Sequence, residues 1–124
     1  MATRCLIIFK NSLSQVVTYR HWDGYPEAVI PEIKEFLKWN GERSKDISYT
    51  IANYFYFMKK SRVESRINDK WFKKQYPNKQ KRLEIIKEDS ELTGFGLCDK
   101  IEDYGQEYEY TVNLDTGVIK QKWP

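Results

Sequence analysis

The chain has 124 residues and a formal charge of +3, with 40% apolar and 31% charged residues. That size and balance fit one folded domain, residues 1–124, with a modest core, and exclude a disordered or collagen-like chain. No apolar run approaches the ~20 residues of a membrane span, and Leu6–Phe9 is too short for a secretory leader core, so a cytosolic protein with no membrane contact is expected.

Thr3 to Phe9 reads as a strand, with Cys5, Ile7 and Phe9 on one side. The polar residues Lys10, Asn11, Ser12 and Ser14 mark a turn, and a second strand follows from Gln15 to Trp22. Val17, Tyr19 and His21 share one of its faces; Val16, Thr18, Arg20 and Trp22 share the other. The two strands are predicted to pair as a hairpin. Asp23-Gly24 and Tyr25-Pro26 then redirect the chain.

Pro31 suits the first turn of a helix that runs past Ile33, Phe36 and Leu37 to a stop at Asn40-Gly41. Asp46 is placed to cap a second helix, with Ile47, Ile51, Tyr54, Phe55 and Met58 at helical spacing, continuing to about Ile67. Tyr49, Tyr56 and Phe57 widen its apolar girth, which predicts burial on more than one side. Trp71-Phe72 belong to a following helix, and Tyr76-Pro77-Asn78 breaks the pattern. Leu83, Ile85 and Ile86 fit either a short strand or a helical turn. Phe95 to Ile101 and Glu107 to Leu114 read as a hairpin, and Val118 to Trp123 returns after an Asp115-Thr116-Gly117 turn as the last strand. The predicted fold class is α+β: an antiparallel sheet built from both termini and covered by two central helices.

The small net charge conceals a polarity. Between Lys59 and Arg82 ten bases stand against two acids, and between Glu84 and Asp115 ten acids stand against two bases. Such segments offer a positive face to an anionic partner, associate head to tail as a homo-oligomer, or neutralise each other within the fold. Cys5 and Cys98 lack a zinc-type spacing and are read as reduced, buried thiols. With one histidine there is no multi-histidine metal site, and Gly94-Phe95-Gly96 is not a phosphate loop; no metal and no cofactor are expected.

Tyr19 to Pro26 concentrates the only histidine, a carboxylate, an arginine and three aromatics at the end of a strand. His21 and Asp23, two apart, fit a structural corner, a ligand contact or a general base oriented by its carboxylate. Arg4 and Arg20 on neighbouring strands can each hold a phosphate or a carboxylate, or form an ordinary ion pair. Trp22 and Tyr25 can stack on a base or cover the hairpin end. The nine tyrosines fit ligand-stacking surfaces or the rim of a small core. In the basic segment, Lys59, Lys60, Arg62, Arg66, Lys70, Lys73 and Lys74 are interleaved with Trp71, Phe72 and Tyr76, as in many nucleic-acid binders.

Ala2-Thr3-Arg4 and Tyr19-Arg20-His21-Trp22-Asp23-Gly24-Tyr25-Pro26 together resemble small phage- and prophage-encoded proteins. Those share a Thr-Arg beginning and a Tyr-x-His-x-Asp-Gly-Tyr motif, and most have no assigned activity. Phe95-Gly96, Gly105 and Glu107 to Tyr110 look like their C-terminal part; the middle helices are outside the resemblance. It implies a viral or mobile-element origin, action inside a host cell and a role against bacterial defence. The sheet with two helices is also similar in outline to the anti-Thoeris sponges, which bind cyclic nucleotide signals without cleaving them. No sponge ligand residue carries over to a position here. The expected function is non-enzymatic sequestration of an anionic, nucleotide-like ligand by Arg4, Tyr19, Arg20, His21, Trp22, Asp23 and Tyr25. The alternative is a protein- or nucleic-acid-binding inhibitor of a host defence enzyme acting through residues 59–82.

Overall fold

An uninterrupted apolar run such as Cys5-Leu6-Ile7-Ile8-Phe9 has no polar side to offer to water, so it belongs at the centre of a covered sheet. The computed structural model, which describes residues 2–88 and 94–122, places it there. In chain order the elements are β1 (Cys5–Lys10), β2 (Gln15–Arg20), α1 (Pro26–Asn40), α2 (Ile47–Ile67), α3 (Lys70–Gln75), α4 (Lys79–Ile86), β3 (Phe95–Cys98), β4 (Tyr108–Asn113) and β5 (Ile119–Lys122). The strand order is β3-β2-β1-β4-β5, so the sheet is built from both ends of the described chain and the α+β expectation holds. Asp89, Glu91 and Trp123, which entered the sequence reading, lie outside the described residues.

β1 and β2 form the predicted hairpin, with Cys5 opposite Arg20 and Lys10 opposite Gln15. Asn11 Oδ1 closes its turn by accepting from the N–H groups of Leu13 and Ser14. Two expectations about the sheet change. β3 does not pair with β4; it lies along the outer edge of β2. β4 crosses to the other side of β1 and runs parallel to it, so the sheet is mixed, with three antiparallel pairings and one parallel. The physical reason is β1 itself. A strand buried on both faces needs a hydrogen-bonding neighbour at each edge, and Tyr110 and Val112 of β4 bring an apolar side to the second one.

Cys5, Ile7 and Phe9 meet Val29, Ile33 and Phe36 of α1 and Ile51, Tyr54 and Met58 of α2 in the main core. The opposite sides of β1 and β2, with Leu6, Ile8 and Val17, form a smaller cluster on which Tyr19, Cys98 and Tyr104 pack. α1 begins at Pro26, not near Pro31, which sits inside the helix on its exposed side. Pro26 is the proline in the first turn, where a missing N–H costs nothing. Gly41, at φ +56°, ends α1 as predicted. Asp46 caps α2 by accepting from the N–H groups of Ser48 and Tyr49, and the helix runs to Ile67. Burial on more than one side of α2 is not found: Tyr49 and Tyr56 are 57% and 54% exposed. The ambiguous Leu83 to Ile86 stretch is helical.

The turn after β2 is held by close approach. Gly24 donates its N–H to Thr3 O at 2.8 Å, and its own carbonyl accepts from the buried Tyr110 hydroxyl at 2.7 Å. A Cβ at Gly24 would lie 2.8 Å from Thr3 O and 2.9 Å from the Cys5 Cβ. The left-handed conformation in this turn is taken by Asp23, at φ +52°.

Gly24→Ala is expected to lower unfolding free energy by about 1–3 kcal/mol, read from urea denaturation, because backbone rather than a flexible side chain stands in the way. A pH dependence follows from Cys5. Burial pushes its thiol up to about 12, with Arg20 pulling it down and Glu32 pushing it up. In the unfolded chain that thiol ionises near its ordinary value of about 8.5 while the folded one keeps its proton, so stability falls as pH rises between the two. Burial also raises Tyr54 and Tyr110, with the same sign. The urea midpoint should therefore drop from about pH 8 to about pH 11, with a shallower slope in Cys5→Ala.

Candidate functional site

Side chains of a strand alternate between faces, and the helices cover only one face of this sheet. The seven residues of the predicted cluster are divided accordingly. Arg20 lies opposite Cys5 and points under the helices, where it is 2% exposed. Its Nη1 donates to Glu32 Oε2 on α1 at 2.8 Å, and its Nε donates to the Trp22 carbonyl at 2.7 Å. Glu32 also receives Arg62 Nη2 from α2 at 3.5 Å. Burial pulls the Arg20 guanidinium down and Glu32 more than restores it, leaving it raised. The surface ion pair with Asp23 or Glu27 allowed by the sequence gives way to this interior one with Glu32.

Tyr19 and His21 lie on the other face. The Tyr19 hydroxyl and His21 Nδ1 share a 2.7 Å hydrogen bond, so Tyr19 rather than Asp23 orients the imidazole. Burial raises Tyr19, against the pull of the Arg4 charge. The Trp22 ring stands edge-on to His21 at 4.9 Å, and Tyr104 leans against Tyr19 at 6.3 Å. Arg4 is on this face too, tucked under Gly105, where an added Cβ would lie 2.6 Å from its Nη1. Arg4 and Arg20 therefore do not converge on one ligand. Tyr25 precedes α1 as its N-cap and is 39% exposed.

Two hollows open beside these groups. The first, of about 270 Å³, lies on the helix side between Arg20, Arg62, Arg66, Glu32, Trp22 and Asp23, with Ser61 and Ser65 on its wall. Among the described residues three guanidiniums and two carboxylates line it, a positive balance. Its floor is Phe95, with the Arg62 guanidinium 4.9 Å and the Arg20 guanidinium 6.0 Å from the ring centre. The second, of about 520 Å³, lies on the opposite face between Tyr19, His21, Trp22, Leu97, Cys98 and Tyr104. Trp22, Gly94 and Phe95 line both, so the hollows adjoin at one end of the sheet. The Trp22 Nε1 is buried there and has no hydrogen-bond partner among the described residues.

Of the residues assigned to the basic face, Arg62 and Arg66 turn inward to the first hollow, and Arg66 spreads over Phe72 at 4.4 Å. Lys59 and Lys60 stay on the outer side of α2, beside Tyr56, and Lys70, Lys73 and Lys74 are exposed on α3. The sequence did carry a signal for the inward arginines. Arg62 and Ser65 continue the spacing of Ile51, Tyr54 and Met58, the buried stripe of α2. Glu32, Phe95 and Tyr104 were missed as site residues because only tertiary packing brings them here. Among the described residues no cluster of His, Cys, Asp or Glu has the makings of a metal site, and no helix is long and apolar enough to cross a membrane.

Comparison with family models, with curated proteins and with solved structures finds no match.

Glu32→Ala would leave Arg20 buried without its counter-charge. Expected is a loss of about 3 kcal/mol in urea unfolding, the low end for a broken interior pair because Glu32 itself is one-third exposed. Glu32→Ala combined with Arg20→Met should recover much of that loss, since an apolar chain of similar length needs no partner.

Proposed function

We propose that this protein binds and holds an anionic, nucleotide-like molecule without converting it. The observation that carries the reading is the adjacency of an apolar, ring-walled hollow and a net positive, arginine-walled one across Trp22 and Phe95. A nucleotide has the same two-part chemistry: a flat base that stacks on aromatic rings and a phosphate that takes charge-assisted hydrogen bonds from guanidinium groups. In this reading the base lies against Tyr19, His21 and Tyr104, and the phosphate reaches Arg62 and Arg66. Arg20, at 2% exposure the most buried of the three guanidiniums, shapes the wall and adds its field.

Binding without turnover is supported by where the polar groups lie. His21 is held by Tyr19 on one face of the sheet, while Asp23, Glu32 and the arginines line the hollow on the other, so the imidazole does not act on an atom held by those carboxylates and cations. The phage-type origin, action in the host cytosol and a counter-defence role come with the resemblance of the Tyr19 to Tyr25 motif and belong to the same proposal. A molecule that removes a nucleotide signal needs affinity and abundance rather than a catalytic apparatus.

Differential scanning fluorimetry against nucleoside mono- and diphosphates and cyclic dinucleotides tests the reading. A true ligand at about a hundredfold over its Kd should raise the melting temperature by roughly 5–10 °C. Arg62→Ala and Trp22→Ala should each abolish most of that rise. Cys98, in the apolar hollow, should react with iodoacetamide more slowly once ligand is bound. Absence of any shift across the panel, with Cys98 labelling unaffected, would remove the proposal.

A further inference from the structure

Away from the two hollows, the outer side of the α1–α2 pair carries large aromatic rings in water. Trp39 is 52% exposed at the end of α1, and Tyr56 and Tyr49 on α2 are 54% and 57% exposed. The rings are organised rather than scattered. Trp39 and Tyr56 stack at 6.3 Å with planes 29° apart, and Trp39 leans on Phe57 at 5.3 Å, which fixes its orientation. Tyr49 and Tyr56 are seven residues apart, about two turns or roughly 10 Å along one side of α2. Lys60, one turn beyond Tyr56, extends the row.

Each exposed tyrosine in this row has a cation over it. The Arg43 guanidinium is 5.0 Å from the Tyr49 ring centre, and Lys60 Nζ is 5.6 Å from that of Tyr56. Tyr56 and Lys60 both line two shallow depressions, one shared with Trp39 and Phe57, the other with Phe55 and Lys59. Glu64 is the acid at this end of the row, 3.8 Å from Lys60. Lysine is depleted from the centres of protein–protein interfaces, where its charge would be stripped of water. Here Lys60 flanks the rings, one turn beyond Tyr56, and lines both depressions. Aromatic rings with cations at both ends of the strip suit a flexible polyanion with flat bases.

We infer that this surface binds single-stranded nucleic acid: phosphates draw the Lys60 and Arg43 side chains off the Tyr56 and Tyr49 rings and pass Lys59, and bases stack on the ring faces so uncovered and on Trp39. A duplex is excluded as the preferred form because its bases are already stacked on one another and cannot reach the rings. The surface meets the arginine hollow only at Ser61, and none of the residues varied in its test lines that hollow, so it stands or falls independently of the small-ligand reading.

The test is fluorescence anisotropy of labelled oligothymidine and oligouridine strands, with a duplex of the same length as control, using the full chain. Binding in the range of roughly 1–100 µM is expected at about 50 mM salt, weakening at least tenfold by about 200 mM. Tyr56→Ala should weaken it about tenfold, and Lys59→Glu with Lys60→Glu should remove it. Both changes are at the surface, and unchanged melting curves confirm that each variant folds. Tryptophan emission should fall as the strand saturates, and Trp39→Phe should remove that fall. A mononucleotide that stabilises the protein through Arg62 should not compete. Preference for the DNA or the RNA strand identifies which source the cell would offer. No binding up to about 100 µM at the lower salt overturns the inference. So does duplex binding as tight as single-strand binding, or binding that survives these variants but is lost on Lys73→Glu with Lys74→Glu in α3. Capture of a protein through Tyr56 without any oligonucleotide binding would reassign the patch to a protein partner.

Discussion

A guanidinium buried beneath two helices stays charged only if a counter-charge reaches it, and Arg20 sets that condition for the fold. The β1–β2 register puts it opposite Cys5, on the side the helices cover. Glu32 on α1 supplies the carboxylate, and the same carboxylate takes Arg62 from α2. One acid thus fixes a strand and two helices relative to one another. Such a pair adds little net stability over a well-packed apolar replacement, but any arrangement that separates its members is heavily disfavoured. The interior ion pair therefore acts on how the layers are seated more than on how tightly they hold.

The same pair shapes the candidate site. By drawing Arg62 toward the sheet, Glu32 carries the end of α2 over Phe95 and leaves a polar recess between helix and strand. On the other face no described residue fills the space in the same way. Gly94 and Gly96 contribute no side chain beside Tyr19 and His21, so the recess there is apolar and broad. Trp22 stands at the boundary between the two. A ligand with unlike ends finds unlike surroundings within one side chain's width.

Much of this was legible in the residues. The alternation of β2 already assigned Arg20 and His21 to opposite faces, and Asp46, Gly41 and Asn11 each announced the local structure that they close. What alternation cannot express is which strand lies beside which. β3 and β4 each have the pattern of a half-covered strand, and only the two-sided apolar character of β1 decides that they go to different partners. The tyrosines of α2 were misread for a related reason. Helical spacing shows that Tyr49 and Tyr56 share a side, but not whether another element packs on that side. Arg62 was counted with the solvated bases because charge in sequence carries no direction; its place in the stripe through Met58 did.

The parallel pairing of β1 with β4 joins Cys5 to Tyr108, nearly the whole described chain apart. As the polypeptide emerges from a ribosome, the most apolar strand of the molecule has one of its two neighbours at once and must wait for the other. Until residues 108–113 are made, one edge of Leu6 to Phe9 remains open, and the turn at Gly24 lacks the Tyr110 hydroxyl that later clamps it. Through that interval the open edge can join the edge of a neighbouring chain, in competition with the pairing that β4 later supplies.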